Sequence, residues 1–293
     1  MDRYSKVISD SNVPIDKEFI KKELEKISEK VKDLRKKEVY TKIFNCIDLT
    51  TLNTTDSQTS VSNFVQKVND FDNEFPQFPN VAAICVFSNF AGVVRSSLEV
   101  TGVKIAVVAG GFPSGQTFTE IKVADSALSV SEGADEVDVV MNLGLLLDGS
   151  YEELCDELIE IKHSIKDAHM KVIIESGALK EPEQIRNASI LAMYSDADFI
   201  KTSTGKVYEG ASPEAAYVMC RCIEEYYRNT GKKVGFKAAG GVRSAEEALL
   251  YYAIVKEVLG EEWLNNSLFR IGASSLANNI LAKMLEEENV KYF

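Results

Sequence analysis

From residue 42 onward the chain alternates short, unbroken apolar runs with longer segments whose apolar residues recur every three or four positions. The short runs are "KIFNCID" (42–48), "VAAICVF" (81–87), "KIAVVAGGF" (104–112), "EVDVVMN" (136–142), "KVIIES" (171–176), "DFIKTS" (198–203), "VGFKAAG" (234–240) and "LFRIGA" (268–273). Their length and their Val, Ile and Phe content suit strands buried on both faces. The segments 117–131, 151–168, 181–194, 212–229, 244–258 and 275–288 carry the helical period. Two of them have start signals: Ser212 ahead of Pro213, and Ser244 ahead of Glu247 as a capping box. Strand–helix units in series predict a parallel sheet, because each crossover helix returns the chain to the same end. Eight such units match the number that closes a (β/α)₈ TIM barrel at about this chain length. An open doubly wound sheet is the alternative, but no GxGxxG follows the first strand and the glycine-rich turns come late. The expected organisation is a catalytic α/β barrel over 41–288, an N-terminal helical extension over 1–40 and a short tail over 289–293.

The extension is charge-rich. "DKEFIKKELEKISEKVKDLRKK" reads as an amphipathic helix with Phe19, Leu24, Ile27 and Val31 along one face. That face suits a homodimer or another partner contact. The plainer alternative is a helix packed across the main domain.

Composition narrows the function. A net charge of −12 lacks the basic face of a general nucleic-acid binder, while leaving room for a local anion site. No apolar run approaches the roughly 18 residues of a membrane helix. The opening "MDRYSKVISDSNVP" has no apolar signal-peptide core. The five cysteines are scattered without disulfide or zinc-ligand spacing, which fits a reduced, cytoplasmic protein. His163 and His169 are the only histidines, so a Ser-His-Asp device or a His-rich metal site has little material. No metal or cofactor is expected.

Two lysines stand out in this setting. Lys201 follows Phe199 and Ile200 in "ADFIKTSTGK", and Lys237 follows Phe236 in "VGFKAAGGVR". Both fall in apolar strands, where an unpaired ammonium is strongly unfavourable. Adjacent strands lie about 4.8 Å apart, so the two amines are near neighbours if both point inward. Burial and mutual repulsion then lower a lysine's pKa and make a neutral nucleophile for a carbonyl carbon. An ion pair or a side chain snorkelling to the rim is the plainer alternative. Three late motifs look like phosphate holders: "STGK" with Gly205 and Lys206, "AAGGVRS" with Gly240 and Gly241, and "RIGASS" with Gly272, Ser274 and Ser275. Free N–H groups at helix starts favour anions, and barrels of this class bind phosphate after strands seven and eight. Asp138 lies within an apolar strand and Asp48 at the end of the first one, whereas Asp135 and Glu136 read as a solvated strand start. Asp138 is placed to take a lysine as partner and to pass protons through water.

Together, "DLTTLN", "VAAICVF", "GADEVDVVMNLG", "KVIIESG", "ADFIKTSTGK", "KAAGGVRSAEEA" and "FRIGASSL" resemble deoxyribose-phosphate aldolase in its longer bacterial-type form, from about residue 43 to 285. The resemblance implies a class I aldolase without metal, cleaving 2-deoxy-D-ribose 5-phosphate to D-glyceraldehyde 3-phosphate and acetaldehyde. It implies Lys201 as the Schiff-base lysine, Lys237 as the neighbour that lowers its pKa, and Asp138 as the proton relay. Gly205, Gly240, Gly241, Arg243, Gly272, Ser274 and Ser275 match the phosphate motifs; Thr204 and Lys206 match polar residues near the substrate. Asp48 and Cys85 match residues lining the site. The chain departs from the pattern at Ser88, at Ser176 and in its extension, and Tyr292 is a candidate for a tail residue reaching the site. A Schiff-base aldolase for another sugar phosphate, or a non-catalytic sugar-phosphate-binding barrel, are the competing expectations.

Overall fold

The computed structural model describes residues 2–293. Among them, eight parallel strands close a barrel in chain order, β1 pairing with β8. The strands are β1 (Ile47–Thr50), β2 (Ala83–Phe87), β3 (Lys104–Ala109), β4 (Glu136–Val140), β5 (His169–Ile173), β6 (Phe199–Lys201), β7 (Gly235–Ala239) and β8 (Phe269–Ala273). Ahead of β1 come α1 (Arg3–Ser9), α2 (Lys17–Lys30) and α3 (Lys37–Asn45). The outer layer continues with α4 (Gln58–Glu74), α5 (Ala91–Ser97), α6 (Thr119–Ser131), α7 (Leu143–Leu147), α8 (Tyr151–Ile165), α9 (Ser176–Leu179), α10 (Pro182–Tyr194), α11 (Pro213–Thr230), α12 (Ala245–Leu259) and α13 (Leu276–Leu285). Pro213 opens α11 behind its Ser212 cap, and Ser244 and Glu247 form the reciprocal capping box of α12.

One expected strand is mostly a helix. "KIFN" continues α3, because Tyr40, Ile43 and Phe44 bury one face at three- and four-residue spacing. β1 therefore starts at Ile47, and Asp48 is its second residue, deep in the barrel, not its last.

The barrel interior is divided by side-chain size. Ala83 and Cys85 on β2 and Ala106 and Val108 on β3 form a small apolar cluster with Leu52. They leave space for long side chains from the other strands. Gly235 and Gly272 extend that space: a Cβ on Gly235 would lie 2.3 Å from the Phe199 ring, and one on Gly272 would lie 3.1 Å from Lys237 Cε. Lys171 and Arg270 lie over the Phe199 ring, at 5.9 and 5.7 Å from its centroid.

The extension wraps the outer layer. α2 buries Ile20, Leu24 and Ile27 against α11 and α12, leaving Phe19 at 43% exposure outside the packed face. α1 packs on α10 and α8, and Glu225 of α11 accepts from Ser11 Oγ (2.6 Å) and the Asn12 N–H (2.8 Å). In this chain the segment covers its own barrel. No helix among the described residues is long and apolar enough to cross a membrane.

Candidate active site

Period-two geometry carries the charged side chains inward. Lys201 and Lys237 face each other in the β6–β7 register, and Asp138 faces Lys171 between β4 and β5. The Asp138 carboxylate is shared three ways. Its Oδ2 accepts from Lys201 Nζ at 2.8 Å and Lys237 Nζ at 2.7 Å, and its Oδ1 accepts from Lys171 Nζ at 3.0 Å. Lys237 also donates to Asp48 Oδ2 at 2.5 Å. Below this layer Arg270 donates to Asp48 Oδ1 at 2.5 Å and to Glu136 Oε1 at 2.8 Å, while Lys171 donates to Glu136 Oε2 at 2.5 Å. None of these seven groups is more than 4% exposed.

Four basic groups thus face three carboxylates. In so dry a site charge must be matched, and the surplus falls where matching is poorest. Burial, joined by the Lys237 charge, holds Lys201 below the ordinary lysine range against the pull of Asp138. Burial acts on Lys237 in the same direction, but Asp138 and Asp48 outweigh it and keep that ammonium charged. Lys171 is likewise held above its usual range by Asp138, Glu136 and Asp48, despite its burial. Asp138 stays well below the carboxylate range because the three lysines overcome its desolvation. Burial pushes the nearby Cys85 thiol up, so it is neutral.

Above the network lies a cavity of about 260 Å³. Lys201 lines it, together with Thr204, Gly205, Lys206, Gly240, Gly241, Arg243, Gly272, Ser274 and Ser275. Asp48, Lys237 and Asp138 lie beneath its lining, and Cys85 belongs to the apolar cluster at its side. Lys206 Nζ donates to the Leu52 carbonyl, joining the loops after β6 and β1. Gly240 has φ +88°, and a Cβ there would lie 2.8 Å from Gly210 Cα and 3.2 Å from Gly205 Cα. Only glycine lets these backbones approach so closely, and Gly205 and Gly240 both line the cavity. A lysine on the cavity wall whose charge is disfavoured by burial, beside a glycine-rich rim with two cations, is placed to attack the carbonyl of a phosphorylated aldehyde.

Residues 42–278 match the family model described as "DeoC/LacD family aldolase". This chain belongs to that aldolase family. The human deoxyribose-phosphate aldolase is 38% identical over 256 residues, covering 84% of this chain and 80% of its own. The mouse enzyme of the same name is 42% identical over 213 residues, covering 72% of this chain and 67% of its own. The solved structure of QR15, an aldolase, superposes with a TM-score of 0.67 at 28% identity, covering 84% of this chain and 99% of its own.

Within this aldolase barrel, several residues escaped the sequence reading or lie elsewhere than expected. Glu136 is not solvated: it is 1% exposed and bound by Lys171 and Arg270. It stands two residues before Asp138, so strand alternation puts both on one face, and that spacing was the available signal. Arg270 and Gly272 are related in the same way. Glu175, at φ +48°, accepts from the Thr204 N–H at 3.1 Å and from Thr204 Oγ1 at 2.6 Å, and so fixes the start of the β6 loop. Ser176 Oγ lies 3.5 Å from Ser203 Oγ, and Ser88 opens a short turn into α5. Tyr292 is absent from the cavity lining. Its N–H donates to Asn278 Oδ1 and its hydroxyl to the Lys67 carbonyl, each at 2.8 Å, and its ring packs edge-on against Phe71 and Phe75 in the outer layer.

Proposed function

We propose that this aldolase reversibly cleaves 2-deoxy-D-ribose 5-phosphate to D-glyceraldehyde 3-phosphate and acetaldehyde through a Schiff base on Lys201. The observation that carries the reading is that, of the seven buried charged groups, Lys201 is the one lining the cavity, and its pKa is the one lowered among the bases. The names of the human and mouse relatives support the substrate.

In this mechanism the neutral Lys201 Nζ adds to the C1 aldehyde of the open sugar, and loss of water gives an iminium. The C3 hydroxyl gives up its proton, the C2–C3 bond breaks, and its electron pair moves into the C1–C2 enamine. C3 leaves as the aldehyde carbon of glyceraldehyde 3-phosphate. Protonation of the enamine at C2 and addition of water release acetaldehyde and restore the amine. Asp138, through a water in the cavity, carries these protons. Lys237 stays charged beside it and disfavours a second positive charge on Lys201 before the attack. Gly205, Gly240, Gly241, Arg243, Gly272, Ser274 and Ser275 hold the phosphate, with Thr204 and Lys206 along the sugar. Asp48 keeps Lys237 in place from below, and Cys85 closes the apolar side.

Incubation with 2-deoxyribose 5-phosphate and borohydride, followed by peptide mapping, tests the assignment. An N-ethyl group on Lys201 is the expected product. No adduct on folded protein, or one confined to Lys237, overturns it.

A further inference from the structure

The mechanism above uses Lys201, Lys237 and Asp138 and leaves a third buried lysine without a task. Lys171 is completely buried, in register with Asp138, and holds the one carboxylate oxygen that the other two lysines do not use. Its ammonium is itself fixed by Glu136 Oε2 at 2.5 Å, and Glu136 is held in turn by Arg270. Its ammonium also lies over the Phe199 ring, 5.9 Å from the centroid.

We infer that Lys171 is a positioning residue: it holds Asp138 so that Oδ2 faces both Lys201 and Lys237, and its charge makes Lys201 the surplus base of the barrel. This rests on the Schiff-base reading of Lys201. Without Lys171, three basic groups would face three carboxylates, and each could be matched. Asp138 would then be shared between two ammoniums instead of three, and Lys201 would keep its proton to higher pH. A carboxylate freed at Oδ1 could also turn and present both oxygens to the catalytic pair.

The charged and titratable surroundings of Lys201 are few. Asp138 and Glu136 come from β4, Lys171 from β5, Lys237 from β7, Asp48 from β1, Arg270 from β8 and Cys85 from β2. Lys206 and Arg243 share its cavity. The β3 face contributes only apolar residues to the interior, Ala106 and Val108. Glu136 also pairs with Arg270, and Asp48 with Lys237 and Arg270, so each keeps a charged partner when Lys171 is replaced. The change in charge next to Asp138 is therefore the lost ammonium.

The test is the pH dependence of cyanoborohydride trapping of acetaldehyde on Lys201, read by peptide mass in the whole protein, with the kcat/KM profile beside it. Lys171→Met should move the acid limb of both profiles to higher pH by about 1–3 units, the range for one close charge. Trapping near neutral pH then falls about tenfold or more. Lys171→Arg, which keeps the charge, should hold the limb near that of the parent. Lys171→Gln keeps a hydrogen-bond donor without the charge; it should behave like the Met variant, and it serves if the Met variant does not fold. A role in stability alone would lower the melting temperature without moving the limb. An unchanged limb in folded, trappable Met or Gln variants overturns the inference and leaves the aldolase reading intact. Absence of trapping in the parent protein overturns both.

Discussion

Replacing Asp138 by Asn separates making the nucleophile from moving protons. The side chain keeps its shape and loses its charge, in a place where three lysines donate to it at 2.7–3.0 Å. Four basic groups would then face two carboxylates, so Lys201 has less reason to be charged and remains a free amine. Trapping of acetaldehyde on Lys201 should persist and extend to lower pH. Turnover should fall by about 10²–10⁴-fold, the usual worth of a positioned proton-transfer group. Stability should suffer as well. Removing one partner of a buried ion pair costs about 3–5 kcal/mol, which in a chain of this size is a fall of roughly 6–20 °C in Tm. The assay couples glyceraldehyde 3-phosphate release to its dehydrogenase, with trapping and a melting curve on the same sample. Turnover within about tenfold of the parent would refute the proton role, since that loss is below the range for such a group. Loss of trapping with the fold retained would refute the charge count.

Two further outcomes test the rim and the tail. Gly240→Ala places a Cβ against Gly210 Cα and Gly205 Cα at a positive φ, so the loops that carry these glycines must part. The preference in kcat/KM for 2-deoxyribose 5-phosphate over 2-deoxyribose should drop by about 10–100-fold, the worth of one or two hydrogen bonds to a charged group; an unchanged ratio in a folded variant would contradict the phosphate assignment. Tyr292→Ala removes an outer-layer contact to Phe71 and Phe75 and should lower Tm while leaving kcat/KM within about twofold, as for a side chain remote from the chemistry. A loss of turnover at constant stability would mean that the tail does reach the site.

The barrel and its lysine pair were legible because both rest on short, unbroken apolar runs that tolerate few readings. Lys201 and Lys237 are flanked by Phe199, Ile200 and Phe236, and a long cation in such a run can only face the barrel interior or its rim. The start of β1 was not legible. "KIFNCID" is as apolar as a strand, and only its packing on α13 and on Phe71 decides that Ile43 and Phe44 are helical. Glu136 was hidden for a different reason. A carboxylate at the first position of a strand is ordinarily solvated, and its burial depends on Arg270 and Lys171, which lie far away in sequence. The place of Tyr292 followed from neither pattern, since a tail residue is fixed by whatever surface it meets, here Lys67, Asn278 and two Phe rings.

The same side chains explain why this barrel has so polar a core. Long aliphatic residues at Asp48, Glu136, Lys171 and Arg270 would fill the space above Phe199 without desolvating any charge, and buried ion-pair networks replaced in this way are often more stable by about 1–4 kcal/mol. Stability alone therefore gives no reason for the lower layer. What an apolar filling cannot supply is a fixed carboxylate between two lysines within a network whose bases outnumber its carboxylates by one. On the inference drawn above, Lys171 on the second oxygen of Asp138 keeps that carboxylate turned toward the upper layer. Lys171 requires Glu136, and Glu136 and Asp48 together hold Arg270. Arg270 then returns the excess of one positive charge that leaves Lys201 without a full partner. On this reasoning the small residues of β2 and β3 and the two interior glycines belong to the same chemistry, because they make the room in which that count is kept.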